Sequence, residues 1–180
     1  MATLFVEGFS QWLHYFSKDP TKLAAAFTPA FQLDTFTLAL AADNKVVAMV
    51  GCPAGNPALR LDRSAFISAL GPIRGKFAYR MLHKFLIDTQ YPFEIIPSMG
   101  SIEFVVADPA IRGRGITGLL IKEVMRHRAY DEYVLEVAST NTRAVRLYEH
   151  LGFVEFMRKP ASRRSGVGEY LYLKCRRRMD

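Results

Sequence analysis

Between Leu4 and Phe16 the apolar residues Phe5, Phe9, Trp12, Leu13 and Phe16 recur at spacings of three and four, the period of one face of an amphipathic helix. Asp19 and Pro20 then supply an N-cap and a proline at the first helical position, which predicts a second helix over 21–27. The period changes after that. Residues 36–42 and 46–51 are short, apolar, partly β-branched runs, and Asp43, Asn44 and Lys45 between them have the composition of a tight turn, so the pair predicts a β-hairpin. Gly51, Pro53, Gly55 and Pro57 carry the chain out of the hairpin in a loop. A helical region is expected over 63–87, broken at Gly71 and Pro72 and again near Gly75.

From Ser101 the pattern sharpens into a strand over 102–107, a helix over 115–127, a strand over 132–138, a helix over 141–150, and strands over 153–158 and 170–174. Strands alternating with helices of this length imply parallel pairing in part of the sheet. The last two strands, joined by the Gly- and Arg-rich stretch 159–168, are expected to be antiparallel. The fold class is therefore α/β, a mixed central sheet flanked by helices, with no internal repeat.

Length and composition bound this picture. A chain of 180 residues that is 50% apolar can bury one sizeable core, so a single domain over 1–180 is expected. Its longest apolar stretches fall far short of the ~20 residues needed to cross a bilayer. The N-terminus lacks a basic segment followed by an apolar one and a small-residue cleavage site, so a cytoplasmic location is expected, without a membrane partner. Cys52 and Cys175 lie far apart without a CxxC or Cys/His companion, and the four histidines show no ligand spacing; no metal is expected. The net charge of +7 is lopsided: residues 157–180 carry eight Lys or Arg against two acids, a surplus of six. A run such as Arg176, Arg177 and Arg178 is most often a solvated strand end. Contact with nucleic-acid phosphate is the secondary reading.

Chemistry concentrates where the chain leaves the strand over 102–107. Asp108 and Pro109 lead into Arg112, Gly113, Arg114, Gly115, Ile116, Thr117 and Gly118, a glycine-dense turn that opens a helix. The unpaired N–H groups of a helix's first turn point outward at the positive end of its dipole, and glycines let an anion approach the backbone; a diphosphate suits such a turn. Arg112 and Arg114 add fixed positive charge. Gly113, Gly115 and Gly118 also match the dinucleotide fingerprint G-x-G-x-x-G, but the next strand ends in Ala138, Ser139 and Thr140 with Glu136 inside the run. Too little chain follows for the further βα units of a nucleotide-binding domain.

The same residues resemble the acetyl-CoA motif of the GNAT (Gcn5-related N-acetyltransferase) superfamily, arginine or glutamine, two variable residues, glycine, one variable residue, then glycine or alanine. Thr117 stands where glycine or alanine is usual, with Gly118 beside it as a partial substitute. Asn141, Ala144, Leu147, Tyr148, Glu149, Leu151, Gly152 and Phe153 closely resemble the family's second signature at the expected distance. The resemblance covers 101–172 well and the first hundred residues loosely.

The resemblance implies acetyl-CoA as acyl donor and a primary amine of a small molecule, peptide or protein as acceptor. It divides the domain into substrate-side helices and hairpin over 1–100 and an acetyl-CoA-binding core over 101–175. The strand ending at Ala107 and the one beginning near Glu132 would splay, so that the backbone of Val105, Val106 and Ala107 binds the pantetheine arm and polarises the thioester. Tyr148 would be the general acid that protonates the departing thiolate. Ala144, Leu147, Tyr148 and Leu151 share one helical face, so plain core packing is the alternative for that tyrosine. Asn141 would contact the pantetheine side, and asparagine is equally a good N-cap. Glu103 is the candidate base for the amine, against a plain solvent-facing strand acid; other family members carry the acid two residues earlier, where this chain has Ser101. GNAT chains usually open with a strand, and only residues 3–6 offer a remnant here, so the first strand is expected to be missing. A non-catalytic acyl-CoA-binding regulatory domain and an acetyltransferase acting on tRNA or ribosomal substrates are the competing functions, and a homodimer is compatible with the sequence.

Overall fold

The computed structural model describes residues 1–53, 57–88, 91–128, 130–161 and 167–177. The first amphipathic segment forms two helices, α1 (Ala2–Gly8) and α2 (Ser10–Leu13), separated at Phe9. Gly8 explains how closely the first of them approaches the sheet: a Cβ there would lie 2.4 Å from Val106 Cγ1. Residues 3–6, the only strand remnant on offer, are helical, with Leu4, Phe5 and Val6 buried. Helix α3 (Pro20–Phe27) begins where Asp19 accepts the N–H groups of Thr21 and Lys22.

Strands β1 (Phe36–Leu40) and β2 (Val46–Gly51) form the expected hairpin, with Asn44 in the left-handed region at its turn. Helices α4 (Arg63–Leu70) and α5 (Pro72–Leu86) part at Gly71, whose φ is 84°. The second break expected near Gly75 is absent, because the helix continues through it. A Cβ at Gly75 would lie 2.4 Å from the Phe66 carbonyl oxygen, so this glycine serves helix-on-helix packing.

The segment expected as one strand over 102–107 forms from Glu103 onward. A short strand that was not expected, β3 (Met99–Ser101), precedes it and runs parallel to β5 (Glu132–Ala138); the expected strand itself, β4 (Glu103–Ala107), runs antiparallel to β2 in the other sheet. The chain completes the fold with α6 (Ile116–Arg128), α7 (Thr142–His150), β6 (Val154–Pro160) and β7 (Glu169–Arg176). The two sheets have the orders β1-β2-β4 and β3-β5-β7-β6, with β7 antiparallel to both neighbours as expected for the last two strands.

Two apolar clusters cover the opposite faces. Phe5, Leu23, Phe27, Phe66 and Leu82 of the N-terminal helices bury Met49 and Val106; Ile121 and Val124 of α6 and Tyr148 of α7 bury Val50, Leu135, Val137 and Leu173. Each fully buried Phe or Leu is worth about 1.5–3 kcal/mol, so these faces fix the sheets against their helices. Among the described residues no helix is long and apolar enough to cross a membrane. Of the basic C-terminal features, residues 162–166 and Arg178 lie outside the described residues, and Arg176 Nε lies 3.8 Å from Glu132.

Candidate active site

The site follows from the change of sheet. Ser101 pairs with Val134, and the Ile102 N–H donates to the Val134 carbonyl at 2.8 Å; beyond it, β4 pairs with β2 through Glu103, Val106 and Ala107, and β5 keeps β7 as its neighbour. A gap therefore opens between β4 and β5. Phe104 takes a φ of 50°, and the register with β2 shifts by one residue at this point, a β-bulge that bends the strand away. Val106 pairs with Met49 and the Asp108 N–H donates to the Val47 carbonyl at 2.8 Å. Peptide groups alternate along a strand, so those of Val105 and Ala107 face the gap while those of Val106 are committed to β2.

At the end of β4, Asp108 accepts the Ala110 N–H at 2.9 Å and forms a 2.9 Å ion pair with Lys45 of the hairpin turn. Arg112 Nε donates to the Ala107 carbonyl at 3.3 Å. Gly113 and Gly115 have φ values of 84° and 75°, which side chains rarely tolerate, and these turns lead from the end of β4 into α6. Among the described residues, the N–H groups of Gly113, Gly115, Ile116, Thr117 and Gly118 meet no acceptor in the protein. Five unpaired donors, the exposed side chains of Arg112 and Arg114, and the positive end of a 13-residue helix form an anion cradle. Gly118 adds its N–H beside that of Thr117, and a Cβ there would lie 3.4 Å from Leu147 of α7, an ordinary van der Waals contact.

Helix α7 contributes both its predicted residues. Asn141 caps it, its side-chain oxygen accepting the Ala144 N–H at 3.2 Å, which leaves the carboxamide NH2 for another partner. Tyr148 is 6% exposed, and its ring meets Phe153 edge-on at 5.9 Å. Both readings of this tyrosine therefore apply at once: the ring belongs to the core, but the hydroxyl has no hydrogen-bond partner and is not sealed from solvent among the described residues. Burial pushes its phenol up to about 12.

Glu103 sits where the strands part and is half-buried rather than solvent-facing. Burial raises its carboxyl above the usual range, a hydrogen bond from the Ser101 hydroxyl opposes that, and the charge of Glu136 adds to it. Glu136 comes from β5 and engages the hydroxyl of its cross-strand partner Tyr172. Tyr91 approaches the same group. Burial, then the charges of Glu103 and Glu136, hold its phenol well above its ordinary value.

A family model described as the acetyltransferase (GNAT) family matches residues 4–153. The chain belongs to that family. The GNAT fold is shared with solved structures at low sequence identity. A histone acetyltransferase HPA2 and related acetyltransferase from Corynebacterium glutamicum superposes with a TM-score of 0.65 at 19% identity, covering 99% of this chain and 90% of the other. An N-acetyltransferase from Staphylococcus aureus Mu50 gives 0.61 at 16%, covering 97% and 92%. The spermidine N-acetyltransferase SpeG from Vibrio cholerae, as a mutant, gives 0.51 at 13%, covering 92% and 88%. No curated protein matches the sequence.

Three residues that sequence reasoning did not single out lie beside the candidate site. Arg143 brings its guanidinium to 4.0 Å from the Cβ position of Gly113, adding a third cation near the cradle. Glu136 was legible only as an acid inside a strand, and Tyr91 carried no motif at all. Their signal is tertiary: one depends on the β3 to β5 register, the other on the return of 91–98 across β7.

Proposed function

We propose that this chain transfers an acetyl group from acetyl-CoA directly to a primary amine bound beside it, with 101–175 as the donor-binding core and 1–100 on the acceptor side. One observation supports this reading above the others: the parting of β4 from β5 leaves the peptide groups of Val105 and the N–H of Ala107 without a neighbouring strand, in a gap beside the anion cradle. An extended arm carrying amides at one end and a diphosphate at the other fits that combination.

Arg112, Arg114 and the N–H groups from Gly113 to Gly118 hold the diphosphate. Val105 and Ala107 hydrogen-bond the arm as a neighbouring strand would, and a β4 N–H stabilises negative charge developing on the thioester oxygen, a contribution of about 3 kcal/mol per donor. Asn141 offers its NH2 to the same arm. An amine attacks only when neutral, and Glu103, with its raised pKa, takes the proton. Tyr148 stays protonated at neutral pH, which lets it donate to the departing sulfur. A purely acyl-CoA-binding role would not need a phenol left without a hydrogen-bond partner on a buried ring. A cytoplasmic setting goes with this reading.

Calorimetric titration with acetyl-CoA tests it. Binding is expected for the parent and lost in Gly115→Asp, which sets a carboxylate among the phosphate donors, while NAD should not compete. Equal affinity in parent and variant would overturn the assignment of the loop.

A further inference from the structure

The gap holds more acid than a single proton acceptor requires. Continuing the β3 to β5 register, in which Ser101 pairs with Val134, sets Glu103 level with Glu136 at the point where the strands separate. Among the described residues no Lys, Arg or His nitrogen lies within 4.0 Å of either carboxylate, although the chain carries a net charge of +7. Glu132 makes the contrast. It projects from the same face of β5, four residues earlier, and has Lys174 at 3.6 Å and Arg176 at 3.8 Å. Among the described residues, then, cations accompany β5 at Glu132 and not at Glu136.

What surrounds the pair is aromatic. Tyr91 and Phe93 meet at 5.2 Å with their rings tilted, Phe93 meets Phe156 at 5.0 Å and Tyr172 at 5.8 Å, both edge-on, and Tyr91 lies 6.3 Å from Tyr172. One wall of this cluster already carries a cation, since Lys174 Nζ stands 5.2 Å from the centre of the Phe156 ring. The Tyr148 phenol, largely buried and without a partner among the described residues, lies close enough to Tyr91 to influence it electrostatically. Two carboxylates side by side repel each other, and the half-buried Glu103 also loses hydration while Glu136 stays exposed; a cation between them offsets that cost and a third anion increases it.

Resting on the acetyl-transfer reading, we propose that the acceptor is an aralkyl- or alkylammonium with no carboxylate or phosphate beside the amine. Its cation neutralises the Glu103 and Glu136 pair, and its apolar body lies against Tyr91, Phe93, Phe156 and Tyr172. Amino acids and their phosphorus analogues, which carry an anion next to the amine, are disfavoured.

The pair 2-phenylethylamine and phenylalanine isolates the claim, because the two differ by one carboxylate. Calorimetric titration of each into the protein saturated with CoA, and into the free protein, should give at least about tenfold tighter binding of 2-phenylethylamine, the scale expected when one like charge is added to a charged site. Glu136→Gln keeps the hydrogen bond with Tyr172 and should lose most of that discrimination while leaving CoA affinity and melting temperature in place. Equal or reversed affinities, no binding of either amine, or unchanged discrimination in Glu136→Gln would overturn the inference. Failure of CoA to bind would overturn the acetyl-transfer reading instead, with the free-protein titration still reporting on the amine.

Discussion

Tyr148 illustrates how one residue can satisfy two demands. Its ring fills the cluster beneath α7, which the helical spacing of Ala144, Leu147 and Leu151 already implied, and its hydroxyl has no hydrogen-bond partner among the described residues. Tyr148→Phe should therefore lower the rate of thiol release by about 10²-fold, as for loss of a general acid, with acetyl-CoA affinity and melting temperature close to the parent's. Unchanged turnover would return the residue to packing alone.

Glu103 yields a prediction with a definite sign. The groups facing it are the Ser101 hydroxyl from β3, Glu136 from β5, Tyr91 from the segment before β3, and the Cys52 thiol just beyond β2. Burial is the largest influence and raises its pKa in the folded state above the unfolded value. Its contribution to stability is then fully present below the unfolded carboxylate range and is lost as pH rises through the folded pKa. Glu103→Gln should melt higher than the parent at neutral pH, with the difference closing towards pH 4. The acid limb of the parent's kcat/KM profile should lie above the ordinary carboxylate range and disappear in the variant, whereas identical profiles would remove Glu103 from the chemistry. The identity of Glu103 as a candidate was readable from the strand alternation. Its environment was not, because Glu136 and Tyr91 reach it only through the fold.

Individual elements were legible where their signals are local. The hairpin turn at Asn44, the Asp19 and Asn141 caps and the break at Gly71 all rest on backbone preferences of the residues concerned. The interruption at Phe9 and the handover from β3 to β4 depend on neighbours that periodicity cannot reveal. The two glycines of the α6 turn separate these cases. Gly115→Ala forces a side chain into a φ of 75° and should destabilise the protein by about 1 kcal/mol and weaken cofactor binding. Gly118→Ala meets only ordinary contact with Leu147 and should be neutral or stabilising by up to about 1 kcal/mol, with affinity retained. Urea unfolding of both variants measures the difference; equal losses would contradict the separate roles assigned to them.

At the scale of the molecule, the arrangement of the two sheets decides between the functions that the glycine-rich turn left open. A dinucleotide-binding domain would extend its parallel sheet beyond β5. Here β7 enters antiparallel between β5 and β6, and the opposite side of β5 is abandoned by β4 after Ile102. The sequence pattern anticipated the antiparallel pair and the mixed sheet, but the division into two sheets is a consequence of the bulge at Phe104, which no residue type announces. Amide hydrogen exchange with and without CoA tests the central claim most directly, because a ligand lying in the gap must pair with backbone groups that the protein leaves unsatisfied. CoA is expected to slow exchange at Val105, Ala107 and the amides from Gly113 to Gly118 while leaving Val106, already committed to β2, unchanged. Protection confined to other elements, or none at Val105 and Ala107 under saturating CoA, would contradict the account.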